Sequence, residues 1–270
     1  MPCKYGNRPR KVKKQVTKNL SYVMQFASSE KISGLGWTKR KHNARKCYFG
    51  FPSSKCGDLK QFHKDGVIDN NTKLICVEND PGRIKGMKNN LSRLGYKRTD
   101  YIIIQKDLCD ISWYDINNCC DALGVEGVDL FYLDTCNCLI DCFQQWLEDV
   151  LGQSMTDDAI VAINTLGARA TRDLEKYYMH YESDKQEIRE YWNGPIGLNL
   201  TLPKNRWLIP SVHCVTSKIG EGLRLIHAAC YKDTQPMNLV VVENFGNRSY
   251  SSDSVWAFLT DQNQNLGYAS

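Results

Sequence analysis

The sequence has no uninterrupted apolar run of about 18 residues, so we expect no membrane-spanning helix. Its first 20 residues are basic and lack the apolar segment of a secretory signal peptide, which predicts a cytoplasmic protein. No CxxC pair occurs, although zinc ribbons and thioredoxin-like sites need one. The phosphate-binding pattern GxxxxGK followed by Ser or Thr is also absent. These absences exclude several common classes of protein.

Cysteine, in contrast, is abundant, with 12 residues in the chain. Several stand in apolar runs such as LICVE and HAACY, where thiols act as small core side chains. Without a signal peptide, we expect reduced thiols in a reducing compartment. A soft metal could use the cluster Cys136, Cys138 and Cys142, but its spacing is irregular and no histidine stands near it. We therefore predict no metal site.

Charge is distributed unevenly along the chain. Residues 1–64 contain 16 of the 35 Lys and Arg residues but only two acidic residues, Glu30 and Asp58. A basic arm joined to an acidic body is typical of proteins with a polyanionic partner, most often nucleic acid, although solubilising and targeting tails are also basic. The candidate nucleic-acid-binding residues are Arg8, Arg10, Lys11, Lys13, Lys14, Lys39, Arg40, Lys41, Arg45 and Lys46.

From residue 47 onward, apolar runs typical of strands alternate with stretches typical of helices. We expect strands at 47–52, 73–78, 101–105, 128–133 and 159–164, then a hairpin of 223–231 and 237–243. We expect helices at 57–64, 81–94, 139–151 and 171–192, with 113–122 a helix or a loop. Such alternation predicts an α/β, Rossmann-like fold: a mixed seven-stranded sheet, mostly parallel, with a C-terminal antiparallel hairpin and helices on both faces. The expected divisions are a basic arm (1–46), the α/β domain (47–250) and a C-terminal tail (251–270).

Acidic residues follow three consecutive strands of this pattern, namely Glu78, Asp107 and Asp134. Ligands of open parallel sheets bind beyond the C-terminal ends of the strands, so we expect these carboxylates at one edge around one ligand. Glu78 comes 21 residues after Gly57, close to the separation at which an acidic residue reaches a ribose diol. The alternative is that Glu78 and Asp107 only form turns or cap helices.

The series FPSSKCGDLK, KLICVEND, YIIIQKDLCDI, VDLFYLDTCN and AIVAINTLGAR, with the closing hairpin, resembles the class I S-adenosylmethionine-dependent methyltransferases over roughly residues 45–245. The resemblance implies S-adenosylmethionine as cofactor and a last strand that is antiparallel. It places Glu78 at the ribose, Asp107 at the adenine and Asp134 at the catalytic edge. The cofactor-binding residues that it implies are Pro52, Ser53, Ser54, Gly57, Glu78, Asn79, Asp107 and Leu108.

Three functional hypotheses follow from this resemblance. The chain is a methyltransferase acting on RNA or DNA, or an inactive methyltransferase fold that binds nucleic acid or assists assembly, or a methyltransferase for a protein or small molecule. The second hypothesis arises because the first loop, PSSKCG, has one glycine where the family usually has several. Asp134 and Glu243 also resemble two of the four catalytic residues of ribose 2′-O-methyltransferases. The oligomeric state is left open.

Overall fold

The computed structural model describes residues 44–135, 141–166, 223–232 and 236–244, together with Val215 and Ile219. Its strands are β1 (Cys47–Gly50), β2 (Lys73–Val77), β3 (Tyr101–Ile104), β4 (Val128–Asp134), β5 (Met155–Leu166), β6 (Leu223–Lys232) and β7 (Pro236–Asn244). They form one sheet in the order β3-β2-β1-β4-β5-β7-β6. Strands β1 to β5 pair in parallel, and β7 is antiparallel to both β5 and β6. The predicted fold class is confirmed.

The helices connect these strands as the sequence pattern predicts. They are α1 (Gly57–Lys64), α2 (Pro81–Arg93), α3 (Trp113–Leu123) and α4 (Asp141–Trp146), with a short 3₁₀ turn at Leu108–Asp110. Residues 113–122, for which the sequence analysis left helix and loop as alternatives, belong to helix α3, because Ser112 and Asp115 form a capping box at its start. A π-helical turn (Leu147–Leu151) and a last helical turn (Gly152–Ser154) carry α4 into β5. The helix expected at 171–192 lies outside the described residues.

Two apolar layers enclose the sheet because successive side chains of a strand point to opposite faces. On β1, Tyr48 belongs to the layer beneath α1 and α2, with Phe62 and Met87. Phe49 belongs to the layer beneath α3 and α4, where its ring lies 5.9 Å from that of Trp146. The strands near the centre are therefore buried on both sides, which fits their continuous apolar sequence.

The start of β1 is fixed by a carboxylate of the neighbouring strand β4. Asp129 Oδ2 accepts a hydrogen bond from the backbone N–H of Lys46, and Oδ1 accepts one from that of Cys47, both at 2.8 Å. Two charge-assisted hydrogen bonds at successive amides hold β1 in register at the N-terminal edge of the sheet. The opposite, C-terminal edge is where a ligand would bind.

Two of the predicted divisions of the chain stay predictions. Residues 1–43 of the expected arm and all of the expected tail, 251–270, lie outside the described residues.

Among the helices that the structure describes, none has the length and apolar character needed to cross a bilayer. Within the same part of the chain, no three histidine, cysteine or acidic side chains form a group that could hold a metal ion.

Candidate functional site

Three acidic residues lie at the C-terminal edge of the parallel strands. Gly50 of β1 pairs with Cys76 of β2 and with Tyr132 of β4. Glu78 and Asp134 each lie two residues after these partners. Asp107 lies three residues after the end of β3, whose last residue pairs with the last residue of β2. We call Glu78, Asp107 and Asp134 the acidic rim. Their expected placement along one edge is confirmed.

Glu78 is a nearly buried carboxylate, with 9% of its surface exposed. Its Oε1 accepts a hydrogen bond from the backbone N–H of Asp80 at 3.1 Å, and its Oε2 lies 4.0 Å from Nη1 of Arg83. Asp80, rather than Glu78, caps α2, because its Oδ1 accepts from the N–H of Gly82 at 2.8 Å. The carboxylate of Glu78 is thus oriented by one backbone bond and has a guanidinium at the limit of ion-pair distance.

A side-chain hydrogen bond joins the segments after β2 and β3. Nδ2 of Asn79 donates to Oδ1 of Asp107 at 2.5 Å. Asp107 precedes the 3₁₀ turn but makes no capping hydrogen bond with its side chain, so the structure does not support the capping alternative. Leu108 packs against the apolar layer beneath α3 and α4. Three of the predicted cofactor-binding residues are therefore brought together at one point of the rim.

The loop after β1 makes two left-handed turns without glycine. Ser53 and Cys56 have φ angles of 55° and 48°, a region that side chains with a Cβ rarely adopt. Pro52 is buried. Gly57 is the first residue of α1, as the predicted helix at 57–64 requires, and a Cβ there would meet nothing within 4 Å. The unusual backbone of the loop therefore lies at Ser53, a predicted cofactor-binding residue, and at Cys56, which the sequence analysis did not single out.

Two helices hold this loop in place. Nδ2 of Asn90, on α2, donates to the carbonyl oxygen of Ser54 at 2.9 Å. Nζ of Lys60, on α1, donates to the carbonyl oxygen of Lys55 at 2.8 Å and to Oδ1 of Asn90 at 2.7 Å. Sequence reasoning missed Asn90 and Lys60, because nothing local distinguishes them from other polar residues on helix surfaces.

Asp134 is 5% exposed and has a neutral partner on the next strand. Its Oδ1 accepts a hydrogen bond from Nδ2 of Asn164 at 3.1 Å, and the backbone N–H of Thr135 donates to the carbonyl oxygen of Asn164. On β1, burial and then the negative charge of Asp58 raise the pKa of Tyr48 well above its ordinary value, and Asp134 adds to the effect. The Tyr48 hydroxyl therefore keeps its proton at neutral pH.

Glu243, which the sequence grouped with Asp134, lies away from it. Because β7 runs antiparallel, Glu243 pairs with Ile160 of β5, whereas Asp134 pairs with Asn164. Four residues along a strand span about 13 Å. The grouping of Asp134 and Glu243 into one ribose 2′-O-methyltransferase set is therefore wrong.

The described part of the predicted nucleic-acid-binding set lies at the opposite edge from the rim. Arg45 and Lys46 immediately precede β1, and Nη1 of Arg45 donates to the carbonyl oxygen of Asp158 at 3.1 Å. The other members lie outside the described residues: Arg8, Arg10, Lys11, Lys13, Lys14, Lys39, Arg40 and Lys41. Their role stays a prediction.

The structure also reveals a basic surface that sequence reasoning missed. Residues 81–99 contain six Lys and Arg residues and no acidic residue, a signal visible in the sequence. A groove of about 770 Å³ runs along α2 to the start of β3, and its lining includes Lys85, Lys88, Lys97, Arg98 and Tyr101. We call it the basic groove. Pro81, the residue after the α2 cap, also lines it, so the groove begins beside the acidic rim.

Comparison with known proteins finds likeness in structure only. No family model matches the chain, and no curated protein matches it. A putative O-methyltransferase from Klebsiella pneumoniae is 10% identical, with 91% of this chain and 84% of that chain covered and a TM-score of 0.46. The fibrillarin pre-rRNA processing protein of Methanococcus jannaschii is 12% identical, with 76% and 68% covered and a TM-score of 0.44. Similarity at this level does not indicate the function, which has to be inferred from the residues of the chain itself.

Proposed function

We propose that this chain is an S-adenosylmethionine-dependent methyltransferase that acts on nucleic acid. The observation that carries the proposal is the acidic rim, in which three consecutive parallel strands each lead into a carboxylate at the same edge of the sheet. Ligands of open α/β sheets bind at this edge. Such an edge favours a ligand that offers hydroxyl and amine donors and carries a positive charge.

The donor and acceptor groups of the rim fit S-adenosylmethionine. Glu78 would accept hydrogen bonds from the ribose hydroxyls, since its carboxylate is already oriented by the N–H of Asp80. Asp107, with Asn79 bonded to it, would accept from the adenine amine. Pro52, Ser53, Ser54, Gly57 and Leu108 would complete the site. The cofactor, when bound, supplies an electrophilic methyl group on a positively charged sulfur.

Asp134 would act on the acceptor. Its Oδ1 is held by a hydrogen bond from the amide of Asn164. It would orient the attacking group by a hydrogen bond or take its proton as the new bond forms. Holding the reactants in line supplies much of the rate in such a transfer.

The nucleic-acid acceptor is favoured by two separate basic features. The first is the arm, since residues 1–46 contain 13 basic residues and one acidic residue. The second is the basic groove, which begins beside the rim and is lined by Lys85, Lys88, Lys97 and Arg98. Phosphate contacts of this kind position a nucleic acid without reading its sequence.

Calorimetry with S-adenosylmethionine tests the cofactor assignment. We expect Glu78→Gln to weaken binding by about tenfold to a hundredfold, because a hydrogen bond to a charged group contributes about 1.5–3 kcal/mol. Glu126→Gln is the matched control, since Glu126 is exposed and precedes β4 at the opposite edge. No binding by the wild type, or equal binding by Glu78→Gln, would contradict the proposal.

Salt-dependent binding tests the acceptor class. Wild-type protein and the double variant Lys85→Glu, Lys88→Glu are titrated with RNA and with DNA at several salt concentrations. Each lost phosphate contact should lower the slope of log K against log salt by about 0.9 on duplex DNA. Lys64→Glu, an exposed change outside the groove, should leave the slope unaltered. Labelled methyl groups recovered in protein or small molecules, and not in nucleic acid, would overturn the acceptor assignment.

A second candidate is a nucleic-acid-binding protein that keeps the fold without catalysis. The observation that favours it is the guanidinium of Arg83, which pairs with Asp80 at 3.2 Å and also lies 4.0 Å from Glu78, because this cation would compete for the carboxylate that a ribose would need. This candidate predicts salt-sensitive nucleic-acid binding with no heat of S-adenosylmethionine binding. Methyl transfer to RNA or DNA would exclude it.

A further inference from the structure

Two cysteines face each other across the segments that follow β3 and β4. Cys109 lies in the 3₁₀ turn, and Cys142 is the second residue of α4. Their sulfur atoms are 2.6 Å apart, although 33 positions separate the residues in the sequence. A disulfide has an S–S bond of about 2.05 Å, so a small approach of the two sulfurs would suffice to form one.

A buried hydrogen bond holds the two segments in this arrangement. Nε1 of Trp146 donates to the carbonyl oxygen of Ile111 at 2.8 Å. Trp146 lies four residues after Cys142 and thus on the same side of α4, and Ile111 lies two residues after Cys109. The same pair of segments is therefore fixed at a second point beside the two thiols.

The two thiols differ from the other described cysteines in their access to solvent. Cys109 and Cys142 are both exposed, whereas Cys119 is half-buried and Cys47, Cys56, Cys76 and Cys120 are buried. Burial of the sulfur, with the hydrogen bond to Cys142, raises the pKa of Cys109 to about 12. Cys109 therefore keeps its proton at neutral pH, which slows its attack on an oxidant.

We propose that Cys109 and Cys142 form a reversible intramolecular disulfide when the protein meets a low-molecular-weight disulfide such as oxidised glutathione. One of the two cysteines attacks, as its thiolate, one sulfur of oxidised glutathione, whose S–S bond breaks and releases one reduced glutathione. The other thiol then gives up its proton and attacks the protein sulfur of this mixed disulfide, which releases the second. The protein loses two protons and two electrons, and one oxidised glutathione becomes two reduced molecules.

The disulfide would tie the two ends of the acidic rim together. Cys109 is two residues after Asp107, and Cys142 belongs to the helix that follows β4 and Asp134. Oxidation would therefore restrict the segment that carries Asp107 and Leu108. This consequence rests on the proposed function, whereas formation of the disulfide itself does not.

Peptide mapping of the full chain tests the cross-link. The protein is incubated in glutathione buffers of increasing oxidised fraction, its free thiols are alkylated, and it is cleaved after glutamate, since Glu126 lies between the two cysteines. Trypsin would not separate them, because no Lys or Arg occurs between residues 107 and 168. We expect a linked pair of peptides joined through Cys109 and Cys142, which dithiothreitol returns to two separate peptides.

Variants make the test specific. Cys109→Ser and Cys142→Ser should each abolish the linked pair, and Cys119→Ser, which changes a half-buried cysteine of α3, should retain it. Circular dichroism shows that each variant is folded. Alkylation of both cysteines at every oxidised fraction, or a link from either one to a different cysteine, would overturn the proposal.

S-adenosylmethionine titrations of the reduced and oxidised proteins separate the two proposals. We expect a change in dissociation constant between the two forms. Equal affinities would overturn the effect on the rim and leave the disulfide standing. A linked peptide pair in a protein that never binds S-adenosylmethionine would overturn the proposed function alone.

Discussion

Gly50 is the position at which one added methyl group should cost the most stability. A Cβ atom on Gly50 would overlap the hydroxyl of Tyr48 and lie 2.5 Å from the backbone oxygen of Tyr132. Since β1 is paired with β2 and β4, the backbone cannot move away on either side. Overpacking of a tight interior costs about 1–3 kcal/mol, and we expect Gly50→Ala near the upper end because one of the contacts is backbone.

Thermal and guanidinium unfolding, followed by circular dichroism, measure this loss. For a domain of this size, each kcal/mol should lower the Tm by about 2–4 °C. Gly57→Ala is the matched control, because a Cβ there meets nothing within 4 Å and alanine favours a helix over glycine by about 1 kcal/mol. Wild-type stability in Gly50→Ala, or an equal loss in Gly57→Ala, would refute the steric argument.

Three further predictions concern other contacts. The salt bridge from Lys73, at 2.8 Å, lowers the pKa of Asp100 below 3.8, so its stabilisation is present above that pH and is lost as the pH falls through the lowered pKa. Asp100→Asn should destabilise the protein by up to about 1 kcal/mol at neutral pH, and a difference that persisted in acid unfolding would contradict this. Trp146→Phe leaves a buried carbonyl without its donor and should cost about 1–3 kcal/mol in guanidinium unfolding. Trp113→Phe, at an exposed position, should change stability by no more than about 0.5 kcal/mol. The free energy of unfolding should be about 3–4 kcal/mol higher for the oxidised protein than for the reduced protein. Equal midpoints in guanidinium unfolding would exclude a cross-link that closes a loop of this length.

Most of the sheet could be predicted because strands buried on both faces appear as continuous apolar runs, as CYFG and KLICV do. The start of β5 could not, since Met155–Leu166 begins with a polar stretch that contains Asp157 and Asp158. The π-helical turn at Leu147–Leu151 was also not predictable. Its residues continue the apolar spacing of α4, and the change in hydrogen bonding depends on how the chain reaches β5.

Some features of the candidate site could likewise be predicted from the sequence, and others could not. The acidic rim could be predicted because the C-terminal ends of parallel strands always meet at one edge. Glu243 was misplaced because its position depends on the register of β7 against β5, which pairs Glu243 with Ile160 and pairs Asn164 with Leu239. The link between Asn79 and Asp107 joins residues 28 positions apart, and no local pattern predicts such a contact.

The carboxylate of Asp129 has a consequence for the order of folding. It binds the first amides of β1 from 82 and 83 positions further along the chain. During synthesis, the central strand is therefore made early but has no partner for those amides until β4 has left the ribosome. Until then Cys47–Gly50 can pair only with β2 and its other edge stays open, so completion of the sheet has to wait for this long-range contact. We expect assembly of β1 with β4 to be a late step, and nascent chains that stop before Asp129 to need protection from aggregation.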